Sequence, residues 1–173
     1  MELIYILLLG VAIVADGANI IFLNMFASKS HALTMLPLAE RLAQNGHNVT
    51  MFTITIEPLK LKSGNVNVLE AFIKPDENTL DAEGISKVFW FSEFSPWGTT
   101  YVYEVAYDYL RKSIGDPVLN QVLKTSYDIA IVDETYTSLQ GTIALKLRKD
   151  FGTKVIAFAT TGSLMFVKLN QEL

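Results

Sequence analysis

NIIFLNMFASKSHALTMLPLAERLAQNGHNVTMFTI, residues 19–54, changes its hydrophobic period twice. Its opening, residues 19–27, is a mostly apolar run of branched and aromatic side chains. Such a run, without polar alternation, reads as a strand covered on both faces, the kind found in parallel sheets. From His31 to Asn45 the apolar residues Leu33, Leu36, Ala39, Leu42 and Ala43 recur at helical spacing. Ser30 is placed to cap this helix, and Pro37 falls inside it, where a kink is expected. Gly46 suits the left-handed residue just past a helix end. NVTMFTI (48–54) then returns to strand. A strand–helix–strand unit is thus complete within about forty residues, the ordinary size of such a unit.

The rest of the chain repeats the pattern. NVNVLEAFI (65–73) reads as a third strand and KPDENTLDAEG (74–84) as a polar loop. Residues 85–112 are helical in pattern, and Pro96 and Gly98 divide them into two helices. DPVLNQVLK (116–124) opens with the Asp-Pro signature of a helix start. YDIAIV (127–132) is a fourth buried strand, followed by a helix over 137–149 with Leu139, Ile143, Ala144 and Leu147 on one face. TKVIAFAT (153–160) is a fifth strand, and the tail 162–173 can begin another helix. Alternating strands and helices predict an α/β fold, a Rossmann-like doubly wound parallel sheet. With right-handed crossovers, the common order 3-2-1-4-5 puts strand 1 beside strand 4, at the switch point where such sheets bind ligands.

Composition narrows the function. The 173 residues suffice for one sizeable core, and a net charge of −4 without a basic cluster argues against nucleic acid as a partner. The chain has no cysteine, which removes disulfides, thiolate metal sites and a cysteine nucleophile. LIYILLLGVAIVA (3–15) is apolar and uncharged but too short to span a bilayer, and Ala15 and Gly17 suit the −3 and −1 positions of a cut. Residues 1–17 therefore read as a secretory signal peptide, although Glu2 is the only early charge and no basic n-region precedes the apolar run. A buried first strand is the alternative. No later run is long enough to cross a membrane as a helix.

The chemistry concentrates at two positions. His31 follows the C-terminal end of strand 1, and Asp133 follows that of strand 4 in IAIVDETY. If those strands are neighbours, both side chains stand at the ligand crevice. An imidazole near neutrality can take a proton from a hydroxyl, and a carboxylate on its other nitrogen fixes the tautomer and stabilises the imidazolium. The structural alternatives are an exposed first-turn histidine and an aspartate that caps the next helix or holds a turn. Other motifs fail: there is no G-x-G-x-x-G, Walker loop or G-x-S-x-G elbow, and TTGSL (160–164) is only turn-like. FASKSH lacks the acidic pair a response-regulator site would need, and His47, after Gly46, reads as structural.

FASKSHALTMLPLAERLAQNGHNVTMFT (26–53) resembles the start of a UDP-glycosyltransferase of the animal glucuronosyl/glucosyltransferase family, and YDIAIVDE resembles that family's second N-terminal landmark. The likeness runs over essentially the whole chain but only over the family's N-terminal half. It implies a GT-B architecture of two Rossmann-like domains, with residues 18–173 as the N-terminal domain that binds a small lipophilic acceptor. The UDP-sugar, carrying glucuronic acid or glucose, is then expected to bind a C-terminal domain that these residues do not contain. The resemblance also implies that His31 deprotonates the acceptor hydroxyl, that Asp133 pairs with it, and that neither metal nor cofactor is required. Ser30 and the aromatic stretch 88–110, through Phe91, Phe94, Trp97 and Tyr101, are expected at the acceptor, although ordinary core packing is the alternative for the aromatics. Localisation in the endoplasmic reticulum lumen, a membrane-anchored full-length relative and homo- or hetero-oligomers with relatives follow from the same likeness. A truncated, non-catalytic domain that binds lipophilic ligands or pairs with relatives is the alternative function. Asn48 opens the sequon NVT, but strand 2 is expected to be buried there, so little glycan is expected.

Overall fold

A computed structural model describes residues 17–24, 26–76, 96–134 and 137–159, with only the helical backbone described for 96–102 and 137–138. Five parallel strands form one sheet: β1 (Asn19–Leu23), β2 (Asn48–Thr55), β3 (Asn67–Phe72), β4 (Ile129–Asp133) and β5 (Lys154–Phe158). Their order across the sheet is β3-β2-β1-β4-β5, so the expected doubly wound α/β topology stands, with β1 and β4 as neighbours. The helices are α1 (Lys29–Gln44), α2 (Pro96–Ser113), α3 (Pro117–Lys124) and α4 (Thr137–Phe151).

Strand alternation divides the core in two. Ile20, Phe22, Val49, Met51 and Ile131 point to one face, where Ala32, Met35, Leu36 and Ala39 of α1 cover them. Ile21, Leu23, Phe52, Ile54, Ala130 and Val132 point to the other, against α2, α3 and α4. Each fully buried aliphatic side chain contributes about 1.5–3 kcal/mol relative to exposure. Leu139, Ile143, Ala144 and Leu147 are all buried, as the helical pattern of 137–149 predicts. The aromatic stretch supplies part of this core: Tyr109 is fully buried, with its ring centroid 4.7 Å from that of Phe26.

Several expectations need correction. The buried face of α1 is Ala32, Met35, Leu36 and Ala39, while Leu33 is largely exposed and Leu42 and Ala43 are only partly covered. The four buried residues fall at i, i+3, i+4 and i+7, the spacing of one helix face, and Leu33 lies off that face. β1 ends at Leu23, short of residue 27, because Ala27 takes a left-handed backbone with φ of 49° and turns the chain away. Asn48 is exposed at the rim of the sheet, and burial begins at Val49, because the first residue of a strand stands outside the packed layer. Residues 1–16, with the apolar stretch of the proposed signal peptide, and the tail 162–173 lie outside the described residues, as does 77–95, which includes Phe91 and Phe94. No described helix is long and apolar enough to cross a membrane.

Helix ends fix how the elements enter the sheet. Gly46, at φ of 90°, follows the cap Asn45 of α1, and the amides of Gly46 and His47 return to the carbonyls of Ala43 and Leu42. This paired closure requires a left-handed residue, which glycine adopts without strain. His47 then accepts a hydrogen bond at Nδ1 from the Ala18 amide at 3.0 Å, the structural role its position suggests. At α3, Asp116 accepts from the amides of Val118 and Leu119, with Pro117 as the first helical residue.

Candidate active site

The site is built at the C-terminal edge of the sheet, where β1 and β4 run side by side and then diverge. Leu23 pairs with Val132 in register, so Asn24 and Asp133 are the next residue on each strand. Past Leu23, the amides of Asn24 and Ala27 still bond to the carbonyls of Phe52 and Ile54 of β2. The left-handed Ala27 then bends the chain into α1. An alanine in this region carries roughly 1–2 kcal/mol of backbone strain, a cost tolerated where surrounding bonds hold the conformation.

Ser28 caps α1. Its backbone is extended, and its Oγ accepts from the His31 amide at 3.4 Å. The sequence pattern assigns this role to Ser30. Ser30 instead lies in the first turn, where its Oγ stands 3.2 Å from that of Ser28 and its carbonyl accepts from Thr34 Oγ1. Two serines two residues apart fit the motif equally in sequence, and the turn at Ala27 selects the earlier one.

This entry places His31 in the first turn of α1, against the end of β4. His31 Nδ1 lies 2.8 Å from Asp133 Oδ2, with the imidazole 17% exposed and the carboxyl fully buried. The pair anticipated from topology is therefore formed across 102 residues of sequence. Asp133 is the last residue of β4, paired in register with Phe158, and the Glu134 amide continues the ladder to the Phe158 carbonyl. A buried carboxylate is costly without a hydrogen-bonded or charged partner, and the imidazole is one such partner. With Asp133 ionised its oxygens only accept, so Nδ1 donates and Nε2 carries the lone pair. Such an arrangement can accept a proton at Nε2 and stabilise the resulting imidazolium through Nδ1.

Trp97 and Tyr101 fall on the first turns of α2, described as backbone only, and Phe91 and Phe94 fall outside the described residues. Within the stretch 88–110, Val105 and Tyr109 are core residues, as the packing alternative has it. Two residues that the sequence reading passed over, Gln140 and Asn24, also sit at this edge. Gln140, 2% exposed in the second turn of α4, donates from Nε2 to the main-chain carbonyl of Asn24 at 3.0 Å. A glutamine next to Leu139 on an otherwise apolar helix face was the available signal. At the opposite edge, burial pushes the Tyr127 phenol up, partly offset by hydrogen bonds with Thr125 and Thr50. That group stays neutral and lies away from the His31–Asp133 pair.

No protein-family model matches this sequence, and a search of curated proteins finds no match. The fold, however, resembles solved glycosyltransferase structures. CalG4, the calicheamicin glycosyltransferase, superposes with a TM-score of 0.51 at 15% identity, over 82% of this chain and 32% of its own. Arabidopsis thaliana UGT89C1, complexed with UDP-L-rhamnose, gives 0.52 at 15% identity, over 84% of this chain and 34% of its own. TcCGT1 in complex with UDP gives 0.47 at 14% identity, over 83% and 28% respectively. The chain thus shares an α/β, Rossmann-like fold with part of the CalG4 and UGT89C1 structures. It spans about a third or less of the length of the three structures.

Proposed function

We propose that this chain is the acceptor-binding, N-terminal domain of a UDP-glycosyltransferase related to the animal glucuronosyl/glucosyltransferase family. The observation that carries the reading is the 2.8 Å His31–Asp133 contact at the switch point between β1 and β4. In this reading the pair acts as a general base with its orienting carboxylate, at the edge where open α/β sheets take their ligands. The likeness in fold to glycosyltransferases supports the reaction class.

In this reading the acceptor is a small lipophilic molecule bearing a hydroxyl. Its proton passes to His31 Nε2 as the oxygen attacks the anomeric carbon of the UDP-sugar. The bond from that carbon to the diphosphate breaks, UDP leaves with the electron pair, and the configuration inverts. Asp133 holds Nδ1–H and stabilises the imidazolium through that bond. The step needs neither a metal nor a cofactor. The sugar, glucuronic acid or glucose, comes from UDP-sugar bound by a second, C-terminal domain. Ser30 and the aromatic residues Phe91, Phe94, Trp97 and Tyr101 are assigned to the acceptor pocket. Residues 1–17 direct the protein to the endoplasmic reticulum lumen, and homo- or hetero-oligomers with relatives are part of the same proposal.

Transfer needs the attacking oxygen and the anomeric carbon held roughly 3–3.5 Å apart, so both substrates must be bound between two walls. The chain supplied with labelled UDP-glucose or UDP-glucuronic acid and a panel of phenols is therefore expected to give no product above a His31→Ala control. Joined to a donor domain, it is expected to glycosylate the phenols it binds. Transfer by the chain alone, or none after joining despite acceptor and donor binding, would overturn the proposal.

A further inference from the structure

At the end of β1, on the α4 side of the sheet, lies a small, partly open cavity of about 10 Å³, lined by Leu23, Asn24, Phe52, Thr53, Ile54, Leu139, Gln140 and Ile143. Two polar residues in its wall are buried, Asn24 at 3% and Gln140 at 2% exposure. Gln140 Nε2 faces the Asn24 carbonyl, which can only accept, and this fixes the orientation of the carboxamide. Its Oε1, and Oδ1 of Asn24, are buried acceptors that no described donor reaches. Buried carbonyl oxygens are nearly always hydrogen-bonded, so two in one cavity call for an occupant that donates twice. The volume admits about one water molecule and nothing larger. Two oxygens are too few for a hard cation, which takes six or more.

We propose that one ordered water occupies this cavity, donating to Asn24 Oδ1 and Gln140 Oε1. The water and the Gln140–Asn24 bond together clamp α4 onto the end of β1. Each residue of the clamp lies seven positions from the reactive pair, Asn24 before His31 and Gln140 after Asp133. Asn24 begins the turn that delivers His31, and Gln140 anchors the helix that follows Asp133. Gln140 is thus a positioning residue, acting on the imidazole through the strand end and its turn. The consequence for catalysis rests on His31 being the base, but the water and the ring geometry are read without sugar transfer, so either proposal can fail alone.

The test uses the intact chain in solution, with water itself as the probe. Nuclear Overhauser contacts between a long-lived water and the Gln140 side-chain amide are expected in the unaltered protein. Their absence, with the amide resonances assigned, would overturn the water site. In Gln140→Met, which can neither donate to Asn24 nor accept from water, the His31 Nδ1 proton is expected to exchange with solvent about tenfold faster, the scale of one lost buried hydrogen bond. Unchanged exchange in a folded Gln140→Met would overturn the positioning role. Should that variant fail to fold, the water contacts in the unaltered protein still decide the site.

Discussion

The His31→Ala variant of this chain, joined to a donor domain, is expected to turn over a phenol about 10²–10⁴-fold more slowly, the usual contribution of a positioned general base. The loss should fall on kcat with little change in KM for the acceptor, because the imidazole acts on a proton that moves only in the transition state. Folding has to be measured alongside. Asp133 is fully buried, and removing the imidazole takes away one hydrogen-bonding partner of a buried carboxylate, which destabilises the fold. Turnover per folded molecule, read after near-UV dichroism has set the folded fraction, separates the two effects. Near-normal turnover per folded molecule would remove His31 from the mechanism.

Asp133→Asn is the second large effect, expected to lower kcat by about 10²–10³-fold while the domain stays folded. Asparagine keeps the shape of the side chain and can still accept from Nδ1–H, so the 2.8 Å contact survives in outline. What it loses is the negative charge that stabilises the imidazolium after proton transfer. An amide can also flip and present its NH₂ group to the ring, favouring the wrong tautomer. In the proposed reading Asp133 acts through His31, so its substitution in the His31→Ala background is expected to cost almost nothing further. A double variant slower than His31→Ala by the full Asp133→Asn factor would mean that the carboxylate acts on its own.

Much of this arrangement was legible in the sequence because it rests on long-period features. Buried runs at 19–27 and 127–132, separated by helical segments, force a parallel sheet, and its common strand order brings Asp133 to His31. The details that escaped are those set by one or two atoms. Choosing between Ser28 and Ser30 as the cap depends on the left-handed backbone at Ala27, which alanine does not advertise. The face of α1 turned on whether Leu33 or Met35 sits over β1, and both satisfy helical spacing. Gln140 reads as an ordinary polar residue until the end of β1 is placed against it, 116 residues away in the chain. Val155 and Ile156 of β5 are substantially exposed because β5 is an edge strand, a fact carried by topology and not by their own composition.

In the proposed reading a hydroxyl acceptor binds with its oxygen at His31 Nε2. This claim is tested most directly by titrating the intact chain, labelled with ¹⁵N at histidine, with a panel of phenols and following the two ring nitrogens. A phenol that binds is expected to shift His31 Nε2 saturably, to leave His47 unmoved, and to leave Nδ1 in its protonated form beside Asp133. Binding of the same phenols with no change at His31 Nε2 would contradict the account.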